Sequence, residues 1–242
     1  MLGPSAIGEF LELSLTAPDP LESLAFWQRA GFVSETVGGA WRHPYAAFTD
    51  GRIHVGVHRH ELGAPALTFV CQGLRDRVEQ LERIGVEFEF IHLGADRFNE
   101  LGFLDPDGHL VRLVEARTFS VSPDAPEHSR FGWFGEYRLP VRSAVGSAKY
   151  WEQLGLLCAP HGRLPEARLL ACTGFNLGVH EDRGLRAPAL AFYDEGMGAR
   201  VERLVESGLE VGRVRRARDG SFESAELVSP EGLTILLLEG HL

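Results

Sequence analysis

The chain has 242 residues, 44% hydrophobic and 24% charged, the profile of a soluble globular protein with room for one large or two ordinary domains. A formal net charge of −10 argues against a nucleic-acid or anionic-membrane surface and favours neutral or cationic small ligands. Cys71, Cys158 and Cys172 are odd in number and share no ligand-like spacing, so neither a disulfide framework nor a zinc knuckle is expected.

The N-terminus, MLGPSAIGEF, has no basic stretch leading into an apolar core, and no apolar run is long enough to span a membrane. The chain therefore reads as cytoplasmic. At 9–16, EFLELSLT alternates apolar and polar residues, the pattern of a half-buried strand. Asp19-Pro20 opens a helix, with aspartate as N-cap and proline at the first helical position, and Gly31 closes it in a left-handed conformation. Strands are expected at 32–36, 45–49 and 53–58. The order is strand, helix, three strands.

The next segment repeats that order. A strand at 67–71 precedes a helix at 74–84, where Leu74, Val78, Leu81 and Ile84 recur at helical spacing before Gly85. A strand at 86–91 leads to the hairpin LGFLDPDGHLVRLVE at 101–115. There Pro106 presets the turn and Asp107-Gly108 supplies residues tolerant of positive φ. SVSPDAPEHSR, at 120–130, is rich in Pro, Ser and charge and has no periodicity, so 118–131 reads as a linker between domains at 1–117 and 132–242.

Beyond the linker the unit occurs twice more. Phe26-Trp27 returns as Tyr150-Trp151, Gly31 as Gly155, and the hairpin as ELVSPEGLTILLLE at 226–239. HVGVHRHELGAPALTF, from His54, is visibly repeated as NLGVHEDRGLRAPALAFY, from Asn176. The chain is a duplication of a duplication.

Four copies of strand, helix and three strands, each ending in an acidic glycine turn and an apolar strand, resemble the vicinal oxygen chelate superfamily. Its members include glyoxalase I, bleomycin-resistance and fosfomycin-resistance proteins and extradiol dioxygenases. The resemblance implies an α+β fold in which four βαβββ modules form two tandem glyoxalase/bleomycin-resistance-like domains, each a cup-shaped mixed sheet with its helices outside. In the family, metal ligands come from the first and last strands of each unit. Those places fall to Glu12, His54, Ala66 and Arg112 in the first half and to Glu136, Asn176, Ala189 and Leu236 in the second. Alanine has no donor, and arginine brings a permanent positive charge that repels a cation. No metal cofactor is expected on this ground.

The candidate ligand residues lie in the first cup. Arg112 is expected to enter it facing Glu12, either to orient an anionic or amide group of a ligand or to fill the space of a lost metal as an ion pair. His54 and His58 alternate around Gly56 and point one way, as ligand contacts or as an acid–base group. Trp41, Tyr45 and Phe98 supply aromatic walls. Glu136 reads as a solvated or locally paired carboxylate in a second cup with an apolar centre, and His161, in a loop, supports nothing specific. Nucleophile-elbow, P-loop and dinucleotide motifs are absent, and RVRRARDG at 213–220 reads as a solvated hairpin.

The leading expectation is a metal-independent binding protein that holds a small organic molecule in the first cup, as a monomer or homodimer, without nucleic-acid or membrane partners. The competing one is a lyase, isomerase or dioxygenase of the same superfamily. It would use a reduced Glu12, His54 and His58 site with a divalent metal such as Fe, Mn, Zn or Ni.

Overall fold

The computed structural model describes residues 5–35, 45–59, 65–116 and 125–242. The first half contains β1 (Glu9–Thr16), α1 (Pro20–Arg29), β2 (Val33–Ser34), β3 (Tyr45–Thr49), β4 (His54–His58), β5 (Ala66–Val70), α2 (Leu74–Arg83), β6 (Phe88–His92), β7 (Glu100–Leu104) and β8 (Leu110–Val114). The second contains β9 (Trp133–Pro140), α3 (Ala144–Gln153), β10 (Leu157–Pro160), β11 (Ala167–Cys172), β12 (Phe175–His180), β13 (Ala189–Asp194), α4 (Met197–Glu206), β14 (Arg213–Arg216), β15 (Phe222–Val228) and β16 (Thr234–Glu239). The four repeats of one unit expected from the sequence are all present. No helix among the described residues is long and apolar enough to cross a membrane.

Local chemistry sets the element ends. Asp19 Oδ1 accepts the backbone N–H groups of Leu21 and Glu22, which fixes the start of α1. In the β7–β8 hairpin, Asp105 Oδ1 accepts from the N–H groups of Asp107 and His109, and Gly108 takes φ +91, a conformation open to glycine. Of the strand expected at 32–36, Val33–Ser34 pair as a strand and position 36 lies outside the described residues, and the helix expected at 74–84 ends one residue earlier.

Each half forms one eight-stranded sheet, in the orders β2-β3-β4-β1-β5-β8-β7-β6 and β10-β11-β12-β9-β13-β16-β15-β14. β1 lies parallel to β4 and antiparallel to β5, which lies parallel to β8; β9, β12, β13 and β16 repeat this arrangement. The two sheets are therefore copies in topology as well as in sequence.

Strand alternation sorts side chains between the two faces. Leu13, Leu15, Val55, Val57, Leu67, Phe69, Val111 and Leu113 pack with the helical residues Phe26, Trp27, Leu74 and Leu81 in the core. Burial of each such side chain contributes roughly 1.5–3 kcal/mol. The intervening residues, Glu12, Ser14, Gly56, His58, Thr68 and Arg112 among them, are left on the other face, the inside of the cup. That face is polar and yet buried.

The halves share one core cluster. Phe10 of β1 stacks on Phe175 of β12, with ring centroids 3.9 Å apart and planes inclined by 11°. The Ala6 N–H donates to Leu154 O at 3.0 Å, and His109 Nε2–H donates to Pro140 O at 2.9 Å. The cups are thus held together by apolar contact and by paired backbone groups.

Candidate functional site

Of the seven residues expected to line the first cup, Glu12, His58, Tyr45, Phe98, His54 and Arg112 are described, and Trp41 lies outside the described residues. Glu12 and His58 are fully buried, and His58 Nε2 is 2.7 Å from Glu12 Oε1. Ser14 Oγ donates to the same oxygen at 2.7 Å and lies 2.7 Å from Thr68 Oγ1. The Tyr45 ring stacks parallel on His58, with centroids 4.9 Å apart. Leu11, Val70 and Val114 form an apolar wall against which Tyr45 and Phe98 pack.

Two residues take partners that sequence reasoning did not foresee. Arg112, expected to face Glu12, forms an ion pair with Glu100 on the adjacent strand, and its guanidinium lies over the Phe90 ring. A guanidinium beside a carboxylate one strand away needs no reach across the cup. His54, expected to act with His58, pairs with the buried Glu35 through Nδ1 at 2.6 Å.

The second cup corrects the sequence reading. Its centre is a buried polar cluster, and Glu136 is fully buried. Glu136 Oε1 receives Arg138 Nε at 2.8 Å, the Tyr193 hydroxyl at 3.0 Å and His161 Nε2 at 3.1 Å, while Oε2 lies 3.0 Å from His180 Nε2. Tyr193 in turn accepts from Arg138 Nη2 at 2.7 Å. Burial opposes ionisation of Glu136, but the hydrogen bonds from His161 and His180 and the charge of Arg138 outweigh it, holding the carboxyl well below the usual range. Burial is also the main reason the Tyr193 phenol is raised, with the Glu136 charge adding to it.

The cups share one device. Glu12, Gly56 and His58 in the first correspond to Glu136, Gly178 and His180 in the second, on paired strands of equal register. A Cβ at either glycine would overlap the facing carboxylate, so glycine is what lets each glutamate lie across its neighbouring strand and reach the histidine. The HVGVH and NLGVH repeat contained this signal. His161 had none, because it reaches the cluster from the loop after β10.

One carboxylate and two imidazoles, their ligand atoms all within 4.8 Å of one another, are a donor set suited to a divalent metal. Arg138 already occupies Oε1, which leaves Oε2 as the carboxylate oxygen better placed for a cation. His161 Nδ1 accepts the backbone N–H groups of Arg163 and Leu164, both at 3.1 Å, so the neutral ring carries its proton on Nε2. A cation bound there displaces that proton. Glu136 and His180 would be the readier ligands and His161 the third. The expectation of no metal cofactor is corrected by this cluster: His161 reaches it from a loop, whereas Ala189 and Leu236, where the resemblance places ligands, carry no donor.

Two tandem eight-stranded sheets, each built from two βαβββ units, make a fold that is shared with solved extradiol dioxygenases. Among solved structures, a variant of homoprotocatechuate 2,3-dioxygenase from Brevibacterium fuscum matches 100% of this chain and 74% of its own, with a TM-score of 0.62 and 13% identity. A catechol 2,3-dioxygenase matches 99% of this chain and 89% of its own, at TM-score 0.60 and 16% identity. An extradiol ring-cleaving dioxygenase from B. fuscum matches 100% and 75%, at 0.62 and 13%. No protein-family model and no curated protein matches the sequence. At these identities the likeness is one of fold.

Proposed function

We propose that the chain is a metal-dependent enzyme acting on a small oxygen-bearing organic molecule, with its centre at Glu136, His161 and His180. The observation that carries this reading is the convergence of those three side chains on the inner face of the second cup. The neighbours' names, which specify catechol and homoprotocatechuate, make ring-cleaving dioxygenation the first reaction to test. When bound, a divalent ion such as Fe, Mn, Zn or Ni supplies a Lewis acid with open positions for substrate oxygens.

The chain's own residues have separable tasks. Glu136 supplies the negative charge, kept ionised by its donors. His180 supplies an imidazole nitrogen, and His161, whose Nδ1 accepts two backbone N–H groups, would bind only by giving up its Nε2 proton. Arg138 and Tyr193 fix the carboxylate's orientation, and burial of Glu136, His161, His180 and Tyr193 limits water there. We retain 1–117 and 132–242 as the proposed domains, with 118–131 between them, and monomer or homodimer as the proposed state.

Metal analysis of protein purified without chelator tests the reading. Stoichiometric metal in the wild type, falling at least about tenfold in Glu136→Gln and His180→Ala, is expected. Absence of stoichiometric metal, or content unchanged in both variants, would falsify it.

The duplicated Glu–Gly–His element favours a second reading for the first cup. There we propose a binding site for a small organic molecule lined by Glu12, His54, His58, Tyr45, Phe98 and Arg112, with Trp41 as a further proposed wall. Calorimetric titration with catechol distinguishes the cups. Loss of heat in Glu12→Gln alone places binding in the first, and loss in Glu136→Gln alone places it in the second.

A further inference from the structure

A cavity of about 140 Å³ opens at one end of the second sheet. Trp133, Phe134 and Gly135 of β9, Asn176 of β12, Tyr193 of β13 and Leu242 line it. Trp133 is 39% exposed, and the Arg52 guanidinium lies 4.2 Å from its ring centroid. Tyr193 is buried and lies along Gly135, where a Cβ would overlap the ring. Its hydroxyl, at the far end of that ring, is the one that donates to Glu136. Tyr193 is therefore a wall shared by this cavity and the polar cluster.

Size and lining define the occupant. An apolar cavity of about 150 Å³ holds a single benzene ring, and drug-sized ligands need roughly 300 Å³ or more. Three aromatic side chains offer edge and face contacts to a planar ring. The Asn176 amide donates to Gly135 O at 2.9 Å, and His241, also in the wall, pairs with Glu195 at 2.8 Å. Among the described residues no side-chain carboxylate lines the cavity, and the Arg52 and Arg163 guanidinium groups lie over the rings of two of its walls, Trp133 and Tyr193. We propose that this cavity is a binding site for a small aromatic ring. The site does not rest on the metal centre.

Metal-stripped protein titrated with phenol, and followed by tryptophan fluorescence, tests the proposal, with Trp133 as reporter. A saturable change with Kd on the order of 1 mM is expected. The change should disappear in Trp133→Phe, and affinity should fall about tenfold or more in Asn176→Phe, which places a ring of the protein's own in the space. A signal linear in phenol, one that persists in Trp133→Phe, or unchanged affinity in Asn176→Phe overturns the proposal. Should Asn176→Phe fail to fold, NMR of the wild type decides: contacts between phenol protons and the Leu242 methyls support the site, and their absence overturns it. Because the protein is stripped of metal, failure of the metal centre leaves these outcomes intact.

Discussion

Glu136 carries more of the second cup than any other residue, because four donors converge on one buried carboxylate. Arg138 balances its charge. Replacing Arg138 with Met strands that charge, and a loss of about 3–5 kcal/mol in urea unfolding is expected. The double variant Glu136→Gln/Arg138→Met should recover most of the loss, since it leaves no buried ion. If the double variant is as unstable as the single one, packing rather than charge accounts for the effect. The glycines opposite the glutamates make a parallel case: Gly56→Ala and Gly178→Ala push the Glu12 and Glu136 carboxylates aside, and each should cost about 1–3 kcal/mol by the same measurement.

At the scale of elements, the turn between β3 and β4 shows how burial and local hydrogen bonding compete. Asp50 is fully buried, and its Oδ1 accepts from the N–H groups of Arg52 and Ile53, both at 3.0 Å. Burial raises the carboxyl above its ordinary range, and those bonds and the Arg52 charge offset this only in part. A raised acid means that the folded state holds the proton more tightly than the unfolded one. The contribution is therefore full below the ordinary aspartate value and is lost as pH rises through the raised one. Asp50→Asn keeps the accepting oxygen and removes the titration. Between roughly pH 7 and pH 4, the melting temperature of the wild type should gain on that of the variant as pH falls; a constant difference would contradict this account.

For the molecule as a whole, the shared core decides how the halves behave. Phe10 and Phe175 are both nearly fully buried and stack on each other across the two sheets. Thermal or urea unfolding should show one transition, coincident by fluorescence and circular dichroism. A double-mutant cycle on Phe10→Ala and Phe175→Ala should return a coupling of about 0.5–1.5 kcal/mol. Two separated transitions, or additive single effects, would mean that the cups fold independently.

The sequence by itself determined the fold. Strand alternation, the Asp19-Pro20 cap, the acidic glycine turns and the fourfold repeat are local signals, because periodicity and turn chemistry act between near neighbours in the chain. It also identified Glu12, His58 and Arg112 as inward-facing, since alternation within a strand fixes the face. Only the tertiary structure decided the partners: Arg112 with Glu100, His54 with Glu35, and above all Glu136 with His161 and His180. Those pairings depend on loop paths and on strands far apart in sequence. A buried charge takes whichever counter-group the packed fold brings within hydrogen-bond reach, and no local pattern records which one that is.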